Sequence, residues 1–522
     1  MKKYFVPLNI IFAVEVIIVI LASLGIIPRE AVLALTGLMI FYMIFSPVED
    51  SLYLVVASIP LFVALPISGN FDSMANWRIL ITVLFLCLFF KRGILSVLLK
   101  DEKGRWQLKE KYGCYLAEYL ILPFLGIAAL SIFVADYKIL GVKKLLFLIN
   151  IFLLFLIIRN LAGRKEVFLN ILKAAATGAS VVVLGGAVQF IAILFLPLYN
   201  FWQFWANSVI GVFYGQGLAK LLSISNTWFA YYVNRPPTLR IFSLFPDSHS
   251  SAMFLILATP VFLALAVFFE KERGKKIFFW VMVGLSLFFV IMSGSRGAWL
   301  SFIPVFIVAL YIFIKKTDRQ LNRKIIVTAA IFGILFFASS FYPFVFYKVQ
   351  SWLGYGSSYD VSFFERAKSI SDLDEISNKS RLQIWRASIS SLAQHPMLGV
   401  GLGNYITVLN EDVSAVKKGA SAHNLYLDFA AEIGILGVLI LLAIFVEILR
   451  TCWLVFGQAE EPYFKIFGLA FGLYFLWALV YSLFDVVLLN DKVFLFFMVA
   501  TGALYSIRAL TEDKRKKAAI IQ

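Results

Sequence analysis

The chain has 522 residues, of which 61% are hydrophobic and 15% charged, and it carries a formal net charge of +16. A mean hydropathy of +0.88 excludes a soluble globular domain and leaves a polytopic membrane protein. The excess of Lys and Arg sits in short loops, where it fixes topology, so no nucleic-acid partner is expected.

Alternation of period two is absent, which excludes a β-barrel, so the spans must be helices that satisfy their own backbone. The first apolar segment follows Met1, Lys2 and Lys3 and lacks a small-residue cleavage site; it reads as a retained helix rather than a signal peptide. Fourteen candidate spans follow in chain order, at 4–26, 31–46, 51–67, 78–97, 116–134, 143–159, 169–197, 249–269, 277–293, 297–314, 325–343, 433–453, 464–486 and 491–508. The pair 31–46 and 51–67 also fits a re-entrant arrangement, which gives a range of 12–14 spans. The predicted fold class is therefore all-α and polytopic, with a large external loop. Cys87, Cys114 and Cys452 are isolated and form neither a metal spacing nor a disulfide framework.

Basic clusters test this count. They are Lys2 and Lys3; Lys100, Lys103, Arg105, Lys109 and Lys111; Arg159, Arg164 and Lys165; Lys271, Arg273, Lys275 and Lys276; Lys315, Lys316, Arg319, Arg323 and Lys324; and Lys514 to Lys517. Fourteen spans put all of them on one side, which the positive-inside rule makes cytoplasmic together with both termini. Two long segments then face outside. The first, 198–248, is rich in Trp, Phe and Tyr and suits an interfacial segment. The second, 344–432, is polar. The chain divides into helices 1–343, an external loop 344–432, and C-terminal helices with a basic tail over 433–522.

Inside that loop the stretch YGSSYDVSFFERAKSISDLDEISNKS is polar. In RLQIWRASISSLA, Leu382, Ile384, Trp385, Ile389 and Leu392 recur at mixed 3/4 spacing, which predicts an amphipathic helix begun by Arg381 and stopped at His395-Pro396. Arg386 points away from Arg381 on such a helix. In GSRGAWL, Gly294 and Gly297 permit a tight external turn. Arg296 there can pair with a phosphate through its planar fork or serve as a snorkelling anchor. Arg240, in RPPTLRIFSLFPDSHS, is another external Arg before a span and a candidate for the same anion. His423 can take a proton from an alcohol or play a structural part. His249 reads as part of a helix N-terminus capped by Asp247 or Ser248. Glu432 could orient or repel groups near His423, while Glu15 and Asp485 lie within apolar spans without an obvious partner.

Neither a nucleotide-binding glycine loop nor a metal motif is present, and GVGLGNY at 399–405 follows no strand, so no cofactor and no metal are expected. An external transferase is cut off from cytosolic nucleotide donors. Its donor must carry its own activation, as a lipid pyrophosphate does. A flippase of lipid-linked oligosaccharides is the rival from another class, but it should place its ionisable residues in a midplane cavity between related halves.

Three segments, in order, carry a resemblance. GSRGAWL resembles the Ser-Arg-Gly turn, SRLQIWRASISSLAQHPMLGVGLGNY the Arg…Trp…Pro-x-x-Gly-x-Gly-x-Gly-Asn segment, and AHNLYLDFAAEIGILG the His-Asn…Glu-x-Gly segment of the O-antigen ligase and O-antigen polymerase superfamily. RIFSLFPDSHS departs from the family pattern at Ser243, where Gly is usual, and at Asp247, where Asn is usual. The resemblance implies a fold like that of the C-type membrane glycosyltransferases and an active site holding Arg296, Arg381 and His423, with Arg240 a less secure member. It implies inverting, metal-independent transfer of a glycan from an undecaprenyl-pyrophosphate donor at the outer, periplasmic face of a bacterial inner membrane. The acceptor is lipid A-core in a ligase, another lipid-linked glycan in a polymerase, or a protein in a third branch. The ligase type is the expected one.

Overall fold

The computed structural model describes residues 2–67, 74–92, 115–223, 228–232, 235–315, 319–339, 342–355, 376–409 and 421–521. The basic connector around Lys100 to Lys111 and most of the polar stretch after Tyr355 lie outside the described residues.

The first seven helices are α1 Lys2–Ser23, α2 Ala31–Phe45, α3 Val48–Ser58, α4 Trp77–Arg92, α5 Leu116–Ser131, α6 Lys138–Leu161 and α7 Lys165–Phe195. Shorter helices α8 Leu198–Phe204, α9 Ile210–Tyr214 and α10 Gln216–Ser223 fill the aromatic connector, joined by a π turn over Trp205–Val209. Next come α11 Ser248–Phe268, α12 Arg273–Met292, α13 Arg296–Lys315, α14 Arg319–Ser339, α15 Tyr342–Trp352 and α16 Ile376–Gln394. The chain closes with α17 Leu425–Gln458, α18 Pro462–Tyr481 and α19 Asp491–Ile521. Helices α1–α7, α11–α14 and α17–α19 overlap the fourteen predicted spans. Among the described residues, eight are long and apolar enough to cross a membrane: Leu116–Val134, Lys138–Leu161, Lys165–Phe195, Ser248–Phe268, Arg273–Met292, Leu425–Gln458, Pro462–Tyr481 and Asp491–Arg515. The protein is thus a helical polytopic membrane protein. One element departs from the all-α expectation, a two-stranded antiparallel ribbon of β1 Phe229–Tyr232 and β2 Arg235–Leu239.

Helix α11 lies at the centre. It buries nearly every residue from Ser248 to Val267 against α7, α12, α18 and α19. A helix apolar all round belongs in a core, and its Ala and Ser positions let neighbours approach closely. Helix α5 lies at the margin and exposes Leu122 and Leu130. The aromatic connector is not merely a surface segment. Trp228 stacks within 4.5 Å of Phe242, Trp205 lies 6.1 Å from Phe242, and Phe201, Trp205 and Phe229 are buried.

Tertiary contacts fix which helix ends share a face. Ser131 and Tyr137 meet the 402–404 loop, Gln189 meets Phe242 and Ser243, Met292 meets Ile241, and Leu425 meets Ser482. These contacts collect the ends carrying Arg240, Arg296, Arg381 and His423. At the other end Arg164 pairs with Glu49, Lys165 with Glu461, Arg159 with Glu118, and Lys514 with Glu460. By the same alternation of helices, Lys271 to Lys276 and Lys315 fall at that end too.

Helix α17 is broken at Gly434, whose φ of 74° and ψ of −178° are not helical. The carbonyls of Pro396 and Met397 press on this point and leave no room for a Cβ. Ile435 N–H donates to Pro396 O at 2.9 Å, and Val400 N–H to Ala431 O at 2.8 Å. Glycine is needed here for both its φ and its bareness. The break explains why the apolar run read as a span starts near Ile433.

Candidate active site

Helix α16 starts at Ile376, so Arg381 lies in its second turn rather than at its start. Its packed face holds Ile384 and Ser388, with Trp385 half-buried; Leu382 and Ile389 are exposed, contrary to the predicted apolar stripe. The packed face meets an apolar cluster of Tyr405, Val408, Leu409, Ala422 and Ala431 through Ile384 and Trp385, and Ser388 Oγ bonds Tyr405 Oη at 2.6 Å. Trp385 donates through Nε1 to Ala422 O at 3.1 Å and so ties α16 to the residue before His423. Arg381 is one helical turn before Trp385 on the same face and is half-buried. Arg386 and His395 are exposed.

Loop 399–405 is a structural wedge. Leu402 N–H donates to Ser131 Oγ at 3.0 Å, and Asn404 Oδ1 accepts from Tyr137 N–H at 2.7 Å. His423 sits between two clamped neighbours. Ala422 N–H donates to Asp428 Oδ1 at 3.0 Å, and Asn424 caps α17 by accepting from Tyr426 N–H and Leu427 N–H. Leu425 N–H donates to Ser482 O at 2.8 Å, and Tyr426 Oη to Leu479 O at 2.8 Å. His423 has a φ of 47°, in the left-handed region that few residues other than glycine adopt. Such backbone persists only where its surroundings enforce it. Glu432, one turn beyond Asp428, shares a cation with it. It pairs with Lys144 at 2.6 Å, which also lies 3.6 Å from Asp428.

The Arg296 turn is built as predicted at Gly294, which has a φ of 63°, and adds a close approach at Gly297. A Cβ on Gly297 would come within 3.0 Å of Phe484 Cβ and 3.2 Å of Tyr481 Cε2. Ser295 Oγ bonds Tyr481 Oη at 2.7 Å. The Arg240 side chain lies over this turn, its Nε 3.6 Å from where a Gly294 Cβ would stand. Ser243, the departure from the family pattern, has a φ of 49° and so keeps a glycine-like backbone. Gln189 Oε1 accepts from both Phe242 N–H and Ser243 N–H at 2.9 Å and holds it there.

Asp485 and His249 are the residues that sequence reasoning missed. Helix α18 ends at Tyr481, so Asp485 lies in the connector to α19 and not inside a span. Its Oδ2 is 2.5 Å from His249 Nδ1, and its Oδ1 accepts from Val486 N–H at 2.8 Å. His249 Nε2 lies 3.2 Å from Arg240 Nη1. Burial pushes the Asp485 carboxyl up, but the His249 hydrogen bond and the charges of His249, His423 and Arg381 outweigh it and hold the pKa at about 2. That electrostatic reach brings Arg381 and His423 into the same neighbourhood as Asp485 and Arg240. Asp247, not Ser248, caps α11, accepting from Ser250 N–H at 2.7 Å. Glu15 also has a partner, Ser58 Oγ at 2.5 Å.

Two carboxylates, Asp247 and Asp485, stand against the three arginines Arg240, Arg296 and Arg381, which leaves a surplus of positive charge at this end of the bundle. Planar guanidinium forks suit a phosphate or pyrophosphate. No curated protein matches the chain. Residues 281–442, which include Arg296, Arg381 and His423, match the family model described as O-antigen ligase, and that match supports the resemblance of this segment to the O-antigen ligase and polymerase superfamily.

Proposed function

We propose that the chain is a membrane glycosyltransferase of the O-antigen ligase type. It transfers a glycan from an undecaprenyl-pyrophosphate donor to an acceptor hydroxyl at the outer face of the bacterial inner membrane. The observation that carries this reading is the gathering of Arg240, Arg381, His423 and the Arg296 turn at one end of the bundle, around Asp485 and Tyr481. Among the described residues, Arg159, Arg164, Lys165 and Lys514 occupy the opposite end, which supports cytoplasmic termini and a site facing outside. This arrangement suits loop 344–432 as the external site element, although 356–375 and 410–420 lie outside the described residues. Fourteen spans remain the proposed topology.

In this mechanism the acceptor oxygen bonds to the anomeric carbon as the bond from that carbon to the phosphate oxygen breaks. The pyrophosphate leaves with the electron pair, and Arg296 and Arg381, with Arg240, stabilise the growing charge. His423 takes the hydroxyl proton. Attack opposite the leaving group inverts the anomeric centre, and no metal is required. A polymerase of the same superfamily would run the same step with a second lipid-linked glycan as acceptor.

The test is transfer in vitro from a lipid-pyrophosphate glycan, with lipid A-core and lipid-linked glycan compared as acceptors. Arg296→Ala and Arg381→Ala should abolish transfer, and Lys at either position should recover little because the bidentate fork is lost. Wild-type rates in both alanine variants would overturn the assignment. Preference for the lipid-linked acceptor would make the chain a polymerase.

A further inference from the structure

The chain Asp485–His249–Arg240 joins three elements that are far apart in sequence: the connector after α18, the first turn of α11 and the end of β2. An arginine only donates, so the 3.2 Å approach of Arg240 Nη1 requires His249 Nε2 to accept. The proton of the neutral ring is then on Nδ1, where it is donated to Asp485 Oδ2. A carboxylate only accepts, so Asp485 fixes this tautomer. Asp485 is itself fixed by Val486 N–H. His249 is further confined by Tyr481, whose ring centroid is 6.5 Å away, while Tyr481 is bonded to Ser295 in the Arg296 turn.

We propose that His249, oriented by Asp485, is a positioning residue that aims Arg240 at the pyrophosphate of the donor lipid and releases it when the imidazole is protonated. This rests on the functional reading above, in which Arg240 belongs to the anion site. A protonated ring has no lone pair for Arg240 and adds a like charge beside it. The charged and titratable groups facing His249 are Arg240, Asp247, Asp485 and Tyr481, with Arg381 and His423 within electrostatic reach of Asp485.

The experiment measures binding of an undecaprenyl-pyrophosphate glycan to the purified full chain in detergent, alongside transfer. His249→Ala and Asp485→Asn should each raise the donor Kd about tenfold, equivalent to about 1.4 kcal/mol. The Asn amide can donate to Nδ1 and so turn an N–H of the ring toward Arg240. His249→Gln offers an acceptor to Arg240 and an N–H to Asp485 without titrating. It should restore the Kd at neutral pH and make donor binding less dependent on pH than in the wild type. The double variant Arg240→Ala with His249→Ala should bind no worse than Arg240→Ala alone, since His249 acts through Arg240. An unchanged Kd in His249→Ala overturns the proposal, as does additivity in the double variant or an unaltered pH profile in His249→Gln. Binding without transfer in the wild type would instead refute the ligase reading while the Kd ratios still decide the role of His249. Absence of donor binding in the wild type would overturn both.

Discussion

Replacing Lys144 by Ala should destabilise the joint between α6 and the start of α17 more than any single change at an exposed lysine. Lys144 Nζ is 2.6 Å from Glu432 Oε2 and 3.6 Å from Asp428 Oδ2. The lysine side chain is 22% exposed, whereas Glu432 is 2% and Asp428 5% exposed. The ammonium also lies over the Phe429 ring at 5.5 Å. Its removal leaves two carboxylates one helical turn apart in a buried joint. Breaking a buried pair from one side costs about 3–5 kcal/mol, and the partial exposure of Lys144 points to the lower end. Asp428 also accepts from Ala422 N–H, so the loss should loosen the backbone before His423 and reduce transfer as well. Denaturation in detergent, followed by tryptophan fluorescence, reads the first effect. A double-mutant cycle of Lys144→Ala with Glu432→Gln isolates the pair and should give a coupling of about 2 kcal/mol. A loss below about 1 kcal/mol for Lys144→Ala, with additive behaviour in the cycle, would refute the reasoning.

Other outcomes follow from the same geometry. His423→Ala should retain donor binding and lose transfer by about 10²–10⁴-fold, with His395→Ala near wild type and EDTA without effect; initial rates check all three. Asp485 carries a depressed pKa, so its stabilisation is fully present above about pH 4 and is lost as the pH falls through about 2. Acid unfolding of Asp485→Asn should therefore lack the part of the transition in that window. Gly434→Ala should misfold or lose activity, since any Cβ meets the carbonyls of Pro396 and Met397; proteolysis and transfer assays would reveal a tolerated change. Cysteines at Gln394 and Glu460, in a background without native cysteines, should differ in labelling by an impermeant reagent in intact cells. Only Gln394 should react.

The helices were legible because long apolar runs leave little choice of structure, and their ends were marked by Lys and Arg. Arg296, Arg381 and His423 could be proposed from the sequence because each stands in a local motif. Asp485 and His249 were not, since a carboxylate and an imidazole 236 residues apart give no local signal of their pairing. The same holds for Lys144, which sits at the start of a span and finds its partner 288 residues away. Ser243 illustrates the opposite case. Its place in the sequence cast doubt on Arg240, yet Gln189 holds the Ser243 backbone at a φ of 49°, where a glycine would be comfortable. The apolar stripe assigned to α16 failed because periodicity shows which residues are alike, not what the neighbouring surface is made of.

The break at Gly434 divides α17 into two bodies with different duties. From Ile435 to Gln458 the helix has 24 residues and rises about 36 Å, longer than a hydrocarbon core of about 30 Å. Such a helix accommodates the bilayer by tilting. The stub from Leu425 to Ile433 need not follow, because Ser482, Leu479 and Val400 anchor it to other parts of the protein. His423, at the head of the stub, is thereby insulated from hydrophobic mismatch. Transfer should vary little between vesicles of short and long acyl chains, even as the long segment changes its inclination.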